Sequence, residues 1–324
     1  MTATQDGTMK AVKIGDGFDD WHRATCRNFS MSECRGDSRA LTGAQMSAQQ
    51  LGPISLTSST STFFTPVDLV RGSTEIRKDP RDHFMLYLVR RGTVDIAQDG
   101  RRAALQPGDF AIYDQTRPFT IRFHPGDRKA ILVNIPRPLL VSRLPRASNL
   151  TAKRVAGDLH LGALASTIAV QLSQFRQTVA PDALNRLGSS AIDVWSTVLE
   201  SSLTDVAQTT AASHRLDQVK RYMLANIHDG DLDVDHIAKA QGMSSRSLNR
   251  LFVQDGTTPM RWLWRRRLDE SYKALAEGQM YHVADVACHF GFSDPSHFSR
   301  TFKKVFGRSP HTIRARGNHG EQPS

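Results

Sequence analysis

Two stretches of this chain read as copies of one unit: IAKAQGMSSRSLNRLF (residues 237–252) and VACHFGFSDPSHFSRTF (residues 286–302). Ile237–Ala238 answers Val286–Ala287, and Gly242–Met243–Ser244 answers Gly291–Phe292–Ser293. One extra residue in the second copy then sets Leu248 against Phe298, Arg250 against Arg300 and Phe252 against Phe302. The tails agree as well, Gly256 and Pro259 with Gly307 and Pro310. Such internal similarity means one supersecondary unit used twice.

Each copy has the physical features of a helix-turn-helix. The first helix needs a small residue where the second crosses it, and Ala238 and Ala287 supply it. The turn needs a residue tolerant of positive φ, which Gly242 and Gly291 provide. Ser244 and Ser293 are candidate caps for the helix that follows. Leu248, Leu251 and Phe252, like Phe298 and Phe302, are spaced to bury one face. The other face carries Arg246, Asn249 and Arg250 in the first copy, and Ser296, His297, Arg300, Lys303 and Lys304 in the second. A duplicated helical hairpin without a partner explains the apolar positions equally well. It does not explain two exposed faces rich in Arg, Asn, Ser and Lys, the residues that read base edges and hold phosphates. The pattern predicts binding to double-stranded DNA.

The charge balance agrees. The formal net charge of the 324 residues is +10, and from Ser244 to Arg316 there are 13 Lys/Arg against 6 Asp/Glu. A polyanionic partner for the C-terminal region follows from that distribution more than from the total. Between the copies, TPMRWLWRRRLDESYKALAEG (258–278) starts a helix at Pro259 and ends it at Gly278. Such a helix is a rod of about 30 Å, close to one duplex turn of about 34 Å. Two recognition helices held that far apart fit successive major grooves. Arg261 and Arg265–Arg267 are candidates for backbone contacts, although Arg267 beside Leu268 also reads as a tie to neighbouring helices.

Upstream, residues from about 55 to 135 read as short strands: HFMLYLVRRG (83–92), GTVDIAQDGR (92–101), QPGDFAIYD (106–114), FTIRF (119–123) and KAILVNI (129–135). Asp99–Gly100 is a strong hairpin signal, and the spacing predicts a small barrel or sandwich. After Pro136 the period turns helical over 159–175 and 183–203. Leu184, Leu187, Ala191, Val194 and Val198 fall near a heptad, which suits packing on the barrel or a subunit contact. VAQTTAASH (206–214) has a linker's composition. The expected organisation is a flexible N-terminus (1–15), a sensory and dimerisation domain (16–205), a linker (206–214), a DNA-binding domain (215–316) and a flexible tail (317–324).

These features carry a family resemblance. IA-x3-G-x-S (237–244), LNRLF (248–252), P-x7-RL (259–268), VA-x3-GF-x-D-x-S-x-FSR-x-FKK (286–304) and G-x-SP (307–310) resemble the AraC/XylS family of bacterial transcription regulators over about 100 residues. The resemblance implies seven helices carrying two helix-turn-helix units. It implies that Arg246, Asn249 and Arg250, and Pro295, Ser296 and Arg300, face bases or phosphates. Here His297 stands where an aromatic residue is frequent, and Pro295 lacks a side-chain donor. The region from FDDWHRATCRNF (18–29) through residues 83–114 looks like the sensory domain of one AraC subgroup. It implies a cupin-like β-barrel with an effector pocket and dimerisation helices, so the class is α+β and multidomain. Transcriptional activation and contact with RNA polymerase are likewise implied by the resemblance alone.

Other chemistries are not encoded. His83 and His124 stand singly, without the His-x-His pairing of metal cupins, so no metal or other cofactor is expected. G-x-S-x-G, H-E-x-x-H, the P-loop and G-x-G-x-x-G are missing. Cys26, Cys34 and Cys288 form neither a C-x-x-C site nor the reactive cluster of an Ada-like repair protein, and they suit a reducing cytoplasm. MTATQDGTMK at the start has no apolar core of signal-peptide length and no apolar run nears 18 residues, so neither a leader nor membrane contact is expected. Three readings remain: a regulator responsive to a small organic effector, a regulator whose N-terminal domain only dimerises or binds protein, and a cupin enzyme with a DNA-binding appendage. For the first, Tyr87, Tyr113 and Arg122 are the candidate effector residues.

Overall fold

The computed structural model describes residues 10–12, 14, 17–37, 40–158, 160–175, 180–204, 211–253, 257–280 and 282–315. The chain divides after Thr204 into two compact units. The segment expected to be a flexible tail lies outside the described residues, as do residues 206–210 of the linker and all of the expected flexible N-terminus but residues 10–12, a short strand, and residue 14. Residues 211–214, also read as linker, are already helical.

In the first unit, β1 (Lys10–Val12) precedes α1 (Phe18–Asn28) and β2 (Glu33–Arg35). Then come β3 (Leu41–Leu51), β4 (Ile54–Phe63), β5 (Val67–Arg71), α2 (Ser73–Lys78), β6 (His83–Arg91) and β7 (Val94–Gln98). β8 (Arg101–Leu105), β9 (Phe110–Asp114), β10 (Phe119–Phe123) and β11 (Gly126–Pro136) complete the strands. Two antiparallel sheets result, ordered β1-β3-β4-β11-β6-β9 and β2-β5-β10-β7-β8. Asp99 and Gly100 both take positive φ, and Gln98 pairs with Arg101, as a two-residue hairpin requires.

Of the small barrel or sandwich that the spacing predicts, the two sheets form a sandwich. Closure would need β9 to pair into the second sheet. Its free edge is taken by bridges from Phe110 to Val155 and Ile112 to Thr151, contributed by the chain after β11. Between the sheets, alternation decides which side chains are inside. Ser59, Ser61 and Phe63 of β4, Tyr87 and Val89 of β6, and Phe119, Ile121 and Phe123 of β10 are all buried there. Trp21 of α1 caps one end, with Phe63 and Phe123 edge-on at 5.2 and 5.8 Å.

Three helices follow the sheets: α3 (Arg137–Arg143), α4 (His160–Ser173) and α5 (Pro181–Thr204). Trp195 is fully buried and its Nε1 donates to the Ala165 carbonyl at 3.1 Å, tying α5 to α4. Leu184, Ala191 and Val198 are buried, whereas Leu187 is exposed. Most of the heptad seam therefore serves packing within the unit.

The second unit contains α6 (Ala211–Ala225), α7 (Val234–Ala240), α8 (Ser245–Val253), α9 (Pro259–Ala276), α10 (Val283–His289), α11 (Pro295–Phe306) and α12 (Pro310–Ala315). Two apolar clusters form, and α9 feeds both. Leu263 joins Ile237, Ala238, Leu248 and Phe252, while Leu268, Ala274 and Leu275 join Val286, Ala287, Phe298 and Phe302. Each cluster would be too small alone, and the shared helix makes them neighbours.

Candidate functional site

The second element of each repeat is a short helix with one buried and one exposed face. In α8, Leu248 and Phe252 are wholly buried, while Arg246, Asn249 and Arg250 are exposed. In α11, Phe298 and Phe302 are buried, while Pro295, Ser296, His297, Arg300, Lys303 and Lys304 are exposed. The repeat thus brings three expected site residues together on one helix and six on the other.

The turns and caps explain how these helices are aimed. Gly242 and Gly291 take φ of 59° and 71°, the left-handed conformation the repeat requires. Ser244 Oγ accepts the Ser247 N–H at 3.2 Å at the start of α8. In the second copy the expected cap shifts by one residue. Asp294, not Ser293, accepts the Ser296 N–H at 2.7 Å, and Pro295 occupies the first turn. The inserted residue places a carboxylate at the N-terminal end of α11, where it is electrostatically favoured. Gly307, at φ 69°, ends the helix.

Charge on these faces is uncompensated. Arg246, Arg250, Arg300, Lys303 and Lys304 have no ion-pair partner among the described residues. Cations left unpaired on two parallel positions of a repeat suit phosphate and base contacts. Asn249 donates to the Ser245 carbonyl at 2.9 Å, which orients its amide along the helix. His297 lies edge-on to Trp264 at 6.0 Å.

The arginines of α9 separate into different roles. Arg267 is 1% exposed. Its Nε donates to the Ile227 carbonyl at 3.0 Å, Nη1 to that of Gly291 at 3.3 Å, and Nη2 to that of Asp229. It is a structural tie, its guanidinium bound to backbone carbonyls of distant segments. Arg266 is buried against Asp269 at 3.3 Å, and Arg265 pairs with the same carboxylate at 3.2 Å.

In the first unit, a small cavity with open space for roughly one water lies between the sheets. Tyr87 and Tyr113 both line it. Burial pushes both phenols up from their ordinary range, so they are hydroxyls there. Arg122 is not in the cavity. On β10 it alternates with the inward Ile121 and Phe123, and outside it makes a two-point pair with Asp68 at 2.6 and 2.7 Å. The cavity's cation is Arg128 on β11, and Trp21 forms part of the wall. His124 binds Asp95 at 2.9 Å. Among the described residues, no group of three His, Cys, Asp or Glu could hold a metal ion.

This combination of a two-sheet sensory-type unit and a double helix-turn-helix defines a DNA-binding transcription regulator. Residues 21–200 match the model of the AraC-binding-like domain, and residues 237–316 match a helix-turn-helix domain model. The chain belongs to the AraC family of transcription regulators. It is 36% identical to the transcriptional activator NphR of Rhodococcus sp over 248 residues, 75% of this chain and 72% of that protein. It is 34–35% identical to the activator RhaS of Escherichia coli over 116 residues, 36% of this chain and 40% of RhaS. In fold it is similar to the AraC-like transcriptional activator CuxR, with a TM-score of 0.53 at 18% identity, covering 82% of this chain and 96% of that one.

Proposed function

We propose that the chain is an effector-responsive transcription activator that works as a homodimer in the bacterial cytoplasm. In this reading α8 and α11 enter successive major grooves on one face of the duplex. The observation that supports it most is the pair of exposed, unpaired cationic faces on α8 and α11. The 18-residue α9 is a rod of about 27 Å, near the spacing of about 34 Å that successive grooves demand.

Activation is supported by the similar Rhodococcus transcriptional activator, and contact with RNA polymerase rests on the family resemblance alone. Dimerisation is supported by Leu161, Leu164 and Leu187, exposed leucines on α4 and α5. The aromatic cavity of the first unit supports a small organic effector, held by Tyr87 and Tyr113 with Arg128 in the place expected of Arg122. The regulators among its relatives support a non-catalytic role.

The test is genomic mapping of bound sites with the full chain, followed by a transcriptional reporter on those promoters. The proposal expects discrete sites and a reporter that rises when a metabolite from the neighbouring genes' chemistry is added. A reporter driven equally with and without every such metabolite would favour a first unit that only dimerises. Binding spread without sequence preference would overturn the regulator itself.

A further inference from the structure

The first unit buries a cation that no carboxylate balances. Arg128 is 5% exposed. Its Nε donates to Ser61 Oγ at 2.9 Å, Nη1 to Tyr87 Oη at 2.5 Å and Nη2 to Ser59 Oγ at 3.2 Å. No acidic side chain pairs with it among the described residues. A guanidinium has five N–H donors, so its terminal nitrogens retain donors beyond the three hydroxyl bonds.

Two other buried arginines, Arg71 and Arg267, are unlike it. Arg71 donates to the backbone carbonyls of Gln115, Met31 and Asp79 at 3.1, 2.6 and 2.6 Å, with the Asp79 carboxylate at 3.9 Å. Arg267 likewise binds three carbonyls of distant segments. Those residues fasten the chain. Arg128 instead holds no backbone carbonyl, its partners being three side-chain hydroxyls on the neighbouring strands β4 and β6.

Its surroundings have a matching chemistry. Arg128 lies 4.8 Å above the Phe123 ring and 5.9 Å from Phe63. Phe29, Phe119, Tyr113 and Trp21 complete the aromatic walls of the cavity that Arg128 lines. Trp21 Nε1 and Thr25 Oγ1, on the same wall, are buried and have no hydrogen-bond partner among the described residues. Arg128, Trp21 and Thr25 thus offer a cation and spare donors, and no anion lines the cavity.

We infer that this cavity binds a small aromatic monocarboxylate, its carboxylate on Arg128 and its ring among the aromatic walls. The inference rests on the effector-responsive reading above and names the effector's class. One cation matches one negative charge, so a phosphate dianion or a dicarboxylate would leave charge buried and unpaired. A sugar would need many polar partners, and these walls are mostly apolar. The open centre holds roughly one water, so even a single ring enters only as wall side chains shift. Met46, a flexible side chain on the wall, is the residue that gives way as the ring enters.

The experiment titrates the full chain with benzoate and phenylacetate, beside the uncharged benzamide and the cationic benzylamine, by calorimetry and thermal shift. Both acids bind and raise the melting temperature, benzamide binds at least tenfold more weakly, and benzylamine does not bind. Arg128→Gln, checked for folding by circular dichroism, loses the preference for acid over amide. The comparison of probes on the unaltered chain decides the matter if that variant does not fold. Acids that fail to bind, or that bind no better than benzamide, overturn the inference, as does a folded Arg128→Gln that keeps the preference. A reporter that answers an uncharged compound while the acids are silent would overturn this class and leave the effector-responsive regulator standing. A reporter deaf to every compound, together with acids that do not bind, would remove both.

Discussion

Arg267 lies directly across Gly291, and the second turn is built around that contact. The Arg267 Nη1 donates to the Gly291 carbonyl at 3.3 Å, and a Cβ at Gly291 would stand 2.9 Å from the guanidinium carbon. Gly242, its counterpart in the first copy, has a similar φ but opens on free space. Gly242→Ala is therefore expected to cost about 1 kcal/mol, the penalty of the left-handed backbone alone. Gly291→Ala carries the same penalty plus displacement of Arg267, roughly 2–4 kcal/mol in all. Urea denaturation of the two variants checks this. Equal losses would mean that Arg267 moves aside freely.

On the DNA side, Arg250 and Arg300 occupy equivalent positions of the repeat, both exposed and without an ion-pair partner among the described residues. If each makes a good base contact, Arg250→Ala or Arg300→Ala weakens binding to a mapped site by roughly 1–3 kcal/mol and relaxes preference at its own half-site. Competition binding against sites altered one base pair at a time would reveal it. An alanine variant with unchanged affinity and unchanged base preference removes that residue from the readout.

Lys303 and Lys304 sit in the last turns of α11 with no acidic partner among the described residues. As phosphate contacts they carry no sequence information. Replacing both by alanine is expected to weaken binding to all duplexes alike and to reduce the slope of log K against log salt by about 2. A double variant with the original slope would place both lysines off the DNA.

Asp114 gives the first unit a pH dependence. Burial raises its pKa, but the Arg137 guanidinium and hydrogen bonds from the Thr116 hydroxyl and N–H more than offset this and hold it below the ordinary carboxylate range. The unfolded chain has the ordinary value, about 3.9. A depressed folded-state pKa stabilises the unit above that value, and the contribution fades as pH falls through the lower folded-state pKa. Asp114→Asn is expected to cost about 2–3 kcal/mol at pH 7, with a smaller deficit in acid. Melting curves from pH 7 down to pH 3 would test it, and a deficit that stays constant across that range contradicts the assignment.

The second unit was largely legible because its information lies in spacing. A repeat, two glycines and apolar residues three and four apart survive any uncertainty about register. The cap at Asp294 was missed because the repeat pointed to Ser293, and the one-residue insertion moved the helix start. In the first unit the signal was parity, which demands register. The alternation of Phe119, Ile121 and Phe123 already sends Arg122 outward. Arg128 was hidden because the strand KAILVNI was read from Lys129, one residue after it, whereas β11 begins at Gly126. β3, LTGAQMSAQQL, carries too few β-branched residues to stand out as a strand. Its pairing with β4 along nearly its whole length supplies what propensity does not.

The central claim is that two recognition helices on one chain read two successive major grooves. Major-groove methylation interference on a mapped site, with the unaltered chain, Arg250→Ala and Arg300→Ala, measures it most directly. The account predicts two patches of interference on one face of the duplex, centred about 10–10.5 base pairs apart, with each alanine variant erasing base preference in a different patch. A single patch, or two variants that weaken the same one, would contradict it.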